Sequence, residues 1–131
     1  MQRKPRLFSH EEATALIPIL RPRLQAIQHD KRRLDELQDR LEPMTGTMRT
    51  NGHATEAATL EMDILALVDK LREAVGEIQA LGIEVKDLDM GLVDFPTQRE
   101  GRVVYLCWMV DEPQISFWHE LDTGFGGREP L

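Results

Sequence analysis

Between Leu106 and Leu121 the chain reads LCWMVDEPQISFWHEL, and these sixteen residues hold its only cysteine, both tryptophans and one of its four histidines. Three chemistries are open to such a set. A thiol beside an imidazole can serve as a nucleophile with its base. An imidazole among carboxylates can ligate a divalent ion. An aromatic cluster can line a ligand pocket or a partner interface. Carboxylates are at hand, because Asp94, Glu112, Glu120 and Asp122 could gather near His119 if short strands pack side by side. A divalent metal is therefore the one cofactor the composition suggests, with His119, Asp94, Glu112 and Glu120 as its candidate ligands. No HExxH or paired CxxC spacing supports it, and Trp118-His119-Glu120 is no zinc signature, since neighbours on a strand face opposite ways. GxSxG, Walker and GxGxxG motifs are also missing. Gly124-Phe125-Gly126-Gly127-Arg128 could offer backbone amides and a guanidinium to an anion, with Arg102 as a second cation. The same glycines equally make a plain terminal loop.

Whether any of these residues meet depends on the elements that carry them. After Gly82 the hydrophobic period becomes two, which predicts a strand over 83–88, a turn at Asp89-Met90-Gly91 and a short strand from Leu92 to Phe95 closed by Pro96. Gln98-Arg99-Glu100-Gly101 reads as a turn, Arg102 to Val110 as a strand, and Gln114 to Leu121 as the last strand. With Asp111 and Glu112 as the loop between these two, Val110 sits opposite Pro113, and Cys107, Tyr105 and Val104 pair with Ser116, Trp118 and His119. Val104, Leu106, Trp108, Ile115, Phe117, His119 and Leu121 then share the core face. Tyr105, Cys107, Met109, Gln114, Ser116, Trp118 and Glu120 share the other. In this register Cys107 and His119 do not meet, which disfavours a Cys–His pair. A histidine at the border of an apolar face is ordinarily a hydrogen-bonded core residue, and Trp118 with Tyr105 would form an outer aromatic surface. A one-residue slip would exchange every assignment.

The N-terminal part is helical. Ser9 and Glu12 form a capping box with Phe8 before it as a staple, and Pro18 and Pro22 predict a kink or short break before a long helix. Leu20, Ile27, Leu34 and Leu41 recur every seven residues, with Leu24 and Leu37 beside them, up to Glu42-Pro43. Residues 43–53 read as a flexible connection. A second helix begins near Ala54 or Thr55, and Leu60, Ile64, Leu67, Leu71, Ala74, Ile78 and Leu81 step by four and three to a stop at Gly82. Leu65, Val68 and Val75 widen its apolar face, some of which could serve a homodimer. Two long helices on one loop make an antiparallel hairpin. The expected fold is α+β: a long antiparallel helical hairpin, about 9–82, packed on a small antiparallel sheet of three to four strands with a C-terminal loop, about 83–131. At 131 residues this is one domain's worth.

Composition narrows the function classes. Hydrophobic residues at 41% and charged residues at 30% are globular values and argue against disorder. A net charge of −7 disfavours nonspecific nucleic-acid binding. Residues 1–42 hold nine Lys/Arg against seven Asp/Glu, and residues 84–131 hold four against ten, so a cation would be drawn to the C-terminal half. Arg3, Lys4 and Arg6 read as a solvated tail. No apolar run reaches the ~20 residues of a bilayer span, and the N-terminus has no apolar signal region. One cysteine makes no internal disulfide, which fits a reducing cytoplasm.

The order Leu81-Gly82-Ile83-Glu84-Val85-Lys86-Asp87-Leu88, Gly91-Leu92-Val93-Asp94-Phe95-Pro96, Gly101-Arg102, Leu106-Cys107-Trp108, Glu112-Pro113, Trp118-His119-Glu120, Gly124-Phe125 and Arg128 resembles the prokaryotic domain-of-unknown-function family numbered 2203. Asp111 departs from the glycine expected there. The resemblance implies a bacterial, cytoplasmic protein and carries over no activity. The candidate pocket is Asp94, Arg102, Glu112, Trp118, His119, Glu120 and Arg128, although Asp94–Arg102 or Glu120–Arg128 pairs could equally be structural staples. The leading expectation is a binding or assembly module that self-associates through its helices as a homodimer. The alternative is a small metal-dependent or acid–base enzyme using His119 and nearby carboxylates. Anion binding by Arg102, Arg128 and the glycine loop stands third.

Overall fold

A computed structural model describes residues 6–44 and 54–131. Two helices, α1 (His10–Leu41) and α2 (Ala54–Gln79), precede five strands: β1 (Glu84–Asp87), β2 (Leu92–Arg99), β3 (Arg102–Met109), β4 (Phe117–His119) and β5 (Glu129–Pro130). The strands form one antiparallel sheet in the order β1-β2-β3-β4-β5. The expected α+β hairpin on a sheet is therefore present, with five strands rather than three to four. Among the described residues no helix is long and apolar enough to cross a membrane. The flexible connection expected over 43–53 lies, from 45 on, outside the described residues, as do Arg3 and Lys4.

Helix α1 opens on the expected capping box. Ser9 Oγ accepts the Glu12 N–H at 3.0 Å, and the Glu12 carboxylate accepts the Ser9 N–H at 3.0 Å. Phe8 turns inward, its ring edge-on to Phe95 at 5.5 Å. Arg6 is not a free tail residue, since it donates to the Leu81 carbonyl at 3.0 Å and lies over the Phe8 ring. The helix does not break at Pro18 or Pro22 but runs through both. Both prolines lie on its exposed side, where water can take the carbonyls they leave unpaired. Ile17, Leu20 and Leu24 meanwhile anchor the opposite side in the core.

The hairpin buries two separate apolar clusters. Leu20, Leu24 and Ile27 of α1 and Leu71 and Ile78 of α2 pack with Val93, Phe95, Leu106 and Trp108 of the sheet. Leu37, Met44, Ala57 and Leu60 form a second cluster without any strand residue, so the far end of the hairpin overhangs the sheet. Val68 and Val75 are half-buried as a widened face requires, but Leu65 is exposed.

Strand β2 does not stop at Pro96; it continues to Arg99. The Phe8 N–H donates to the Pro96 carbonyl at 2.7 Å, so that carbonyl points away from β3. A residue's N–H and C=O leave a strand on the same side, so the missing proline donor faces the Phe8 side and costs the β2–β3 ladder nothing. Glu100 (φ 52°) and Gly101 (φ 78°) then make a two-residue turn of type I′ and set Arg99 opposite Arg102. Gly91 is required by space as well as by its φ of 62°, because a Cβ there would stand 2.6 Å from Val110 Cγ1.

The last pairing is one residue away from the expected register. Tyr105 pairs with His119, Leu106 with Trp118 and Cys107 with Phe117. Strand β4 is only three residues long, because residues 110–116 form a built loop rather than a two-residue turn. The Val110 N–H returns to the Gly91 carbonyl, and Arg21 of α1 donates to the carbonyls of Val110 and Glu112. The Trp108 indole N–H also donates to the Glu112 carbonyl at 3.0 Å, and the buried Ile115 passes its carbonyl to His10 Nε2 at 2.8 Å. The slip exchanges the faces. Trp118 packs on the helix-side core, and His119 joins Tyr105, Cys107 and Phe117 on the other face.

Candidate functional site

The face of the sheet away from the helices has its own dry interior. Asp94 of β2 stands directly opposite Cys107 of β3, and His119 of β4 stands opposite Tyr105, two residues along β3 from Cys107. Alternation along each strand puts Asp94, Tyr105, Cys107 and His119 on this one face. Asp94 and His119 are each 2% exposed and Cys107 is 0% exposed. The imidazole, carboxylate and thiol donor atoms all lie within 4.8 Å of one another. The expectation that Cys107 and His119 would not meet is thus overturned by the register.

The imidazole is held from both ends. His119 Nδ1 lies 2.7 Å from the Glu120 carbonyl oxygen, and Nε2 lies 3.0 Å from Asp94 Oδ1. A carbonyl can only accept, so Nδ1 carries a proton and Nε2 is the nitrogen presented to Asp94 and Cys107. Tyr105 leans on the imidazole with ring centroids 5.3 Å apart. Lys86 Nζ lies 4.9 Å from the Tyr105 ring centroid, 3.2 Å from Glu84 Oε1 and 3.9 Å from Asp94 Oδ2.

Burial disfavours negative charge in this interior. It pushes the Asp94 carboxyl above the ordinary carboxylate range, against the opposing pull of His119, the Cys107 thiol and Lys86. Burial, and then the charge of Asp94, push the Cys107 thiol up to about 12. Burial and the hydrogen bond with Glu84 push the Tyr105 phenol up to about 12. The thiol is accordingly no ready nucleophile. His119 is a poor general base as well, with both ring nitrogens engaged and no exposed edge.

The other expected site residues are placed elsewhere. Arg102 and Glu120 pair on the surface, with Arg102 Nε 3.1 Å from Glu120 Oε1. Arg128 Nη2 donates to both Glu112 carboxylate oxygens, at 2.7 and 2.8 Å, and lies over the rings of Phe117 and Phe125. The expected Asp94–Arg102 and Glu120–Arg128 pairs are therefore not formed: the slip moves Glu120 to the rim beside Arg102, Arg128 takes Glu112, and Asp94 takes His119. Trp118 is no free outer surface, since one side packs on the core and Arg99 and Arg102 lie against its ring. Of the seven candidates only Asp94 and His119 converge. Glu112 and Glu120, proposed as ligands, are committed to arginines, and both cations of the anion reading are likewise paired.

Cys107, Tyr105 and Lys86 are the site residues that sequence reasoning missed. The alternation of β2 against β3 already puts Asp94 across from Cys107 once the turn at Glu100-Gly101 is taken as two residues. No local signal gives the seven-residue length of the next loop.

A family model described as "Uncharacterized conserved protein (DUF2203)" matches residues 6–131. No curated protein and no solved structure matches the chain.

Proposed function

Because the chain belongs to this family, DUF2203, whose description carries no activity, we propose a function from its own geometry: a small, non-catalytic binding module whose ligand is a cation held by Asp94, Cys107 and His119. One observation carries this reading. Donor groups from three neighbouring strands converge in a dry interior, with their donor atoms within 4.8 Å of one another. Among the described residues the buried polar or charged side chains are Asp94, Thr97 and His119, so two of the three belong to this cluster. The acid–base alternative finds less support, since His119 has no exposed edge and both its nitrogens are engaged. A thiol in the set suits a reducing cytoplasm. The test is elemental analysis of protein purified without chelator, with thermal unfolding in a panel of divalent salts. A retained ion, or a melting temperature that rises with one of the salts, is expected. A folded chain that retains none and responds to none overturns the reading.

Self-association through the helices is the second reading. Met62 and Leu65, three residues apart on α2, are 71% and 64% exposed and share one face. Sedimentation at rising concentration should show a dimer that Leu65→Glu dissociates. A monomer at all concentrations removes this reading.

A further inference from the structure

Deepening the cation reading on which it rests, we infer that the ion is a divalent transition metal of zinc's class, ligated by the Cys107 thiolate, the Asp94 carboxylate and His119 Nε2. The donor set selects the ion. Magnesium and calcium take shells of oxygen, and here one donor is oxygen, one nitrogen and one sulfur. Zinc accepts that mixture, with bonds of about 2.0–2.3 Å that place tetrahedral neighbours about 3.3–3.7 Å apart. The Nε2–Oδ1 separation of 3.0 Å lies just inside that spacing, and all three donor atoms lie within 4.8 Å of one another, so the thiol has at most about an ångström to close.

The imidazole is set up for a metal. A ligating histidine characteristically donates its other ring N–H to a carbonyl or carboxylate, which fixes the tautomer. Nδ1 does this to the Glu120 carbonyl, a group outside the cluster. With Nδ1 committed to that carbonyl, Nε2 is left facing the Asp94 carboxylate oxygen Oδ1 at 3.0 Å. Two acceptors 3.0 Å apart must share a proton or a cation.

Charge decides in the same direction. A divalent ion with one carboxylate, one thiolate and a neutral imidazole carries no net charge, so the filled site adds none to the interior. On binding, the Sγ–H bond breaks and the proton shared by Nε2 and Oδ1 is displaced; both protons go to solvent, and the electron pairs of Sγ, Nε2 and Oδ1 form the bonds to the metal. Lys86 keeps its partner Glu84 at 3.2 Å while the ion takes Asp94. The described residues supply three donors to a four-coordinate ion.

Cobalt(II) tests this on the intact chain. The protein is stripped with chelator under reducing conditions and titrated with Co²⁺. Expected are one ion per chain, tetrahedral visible bands and a near-ultraviolet sulfur-to-cobalt charge-transfer band, all lost on addition of Zn²⁺. Cys107 is the only thiol, so the band assigns it without any variant. Cys107→Ser should abolish the band and weaken binding roughly tenfold or more, with circular dichroism reporting the fold. Preference for Mg²⁺ or Ca²⁺ over Zn²⁺ overturns this inference and leaves the cation reading standing, whereas cobalt bound without a thiolate band takes Cys107 out of the site and overturns both. A folded chain that takes up no ion overturns both.

Discussion

His119 Nε2 lies 3.0 Å from Asp94 Oδ1 across two strand boundaries, and neither side chain is more than 2% exposed. Neither group has water to fall back on. Asp94→Ala should cost the metal-free chain about 2–3 kcal/mol, because it strands an imidazole nitrogen and a thiol in a dry interior. Asp94→Asn, which keeps a polar partner of the same size, should cost about half of that. Urea unfolding of the two variants measures the difference, and equal losses would mean that volume rather than the polar contact matters.

Glu112 ties its loop to β3, α1 and the C-terminal segment. Its carboxylate accepts the Met109 N–H at 2.8 Å and the Arg128 guanidinium, while its carbonyl accepts from Trp108 and Arg21. Glu112→Ala should destabilise by about 2–3 kcal/mol, since Arg128 is then left largely buried without its charge partner. The side-chain loss should also free the C-terminal segment, read as faster proteolysis after β4. A change below about 0.5 kcal/mol would place Glu112 among ordinary surface residues.

Lys86 stands 3.9 Å from Asp94 Oδ2. A positive charge there opposes a metal ion at the same carboxylate. Lys86→Gln should therefore tighten Co²⁺ or Zn²⁺ binding several-fold, and more so at low ionic strength. Unchanged or weaker binding in a competition titration would place the ion away from Asp94.

The capping box supplies a pH dependence with a definite sign. Hydrogen bonds from the Ser9 backbone N–H and hydroxyl hold the Glu12 carboxyl below its ordinary range. Its contribution is thus present above the unfolded-state value and fades as pH falls through the lower folded one. The melting-temperature gap between the chain and Glu12→Gln should be open at neutral pH and close on the acid side. A gap that widens toward acid would contradict the assignment. Ser9→Ala should cost about 1 kcal/mol.

The helices could be read from the sequence because their signals are local: Ser9 with Glu12, the stepping of Leu60 through Ile78, and the stop at Gly82. The hairpin turn at Glu100-Gly101 is local too. The register of β4 is not. It depends on Arg21, more than eighty residues upstream, which reaches the carbonyls of Val110 and Glu112 and so lengthens the loop. One residue of slip moved Trp118 inward and set His119 beside Cys107. Asp94 and His119 could therefore be named as candidates by residue type, while the expected register set Cys107, equally visible by type, on a face apart from His119. Pro18, Pro22 and Pro96 misled for a related reason: each sits where its missing N–H has no demanding neighbour.

The overhanging end of the hairpin divides the molecule by cooperativity. Leu37, Met44, Ala57 and Leu60 share no strand with the main core. Amide exchange should therefore grade along both helices, fastest at the overhang and slowest where Leu20, Leu24 and Ile78 meet the sheet. That end can open and reclose on its own while β2, β3 and β4 stay shut over Asp94, Cys107 and His119.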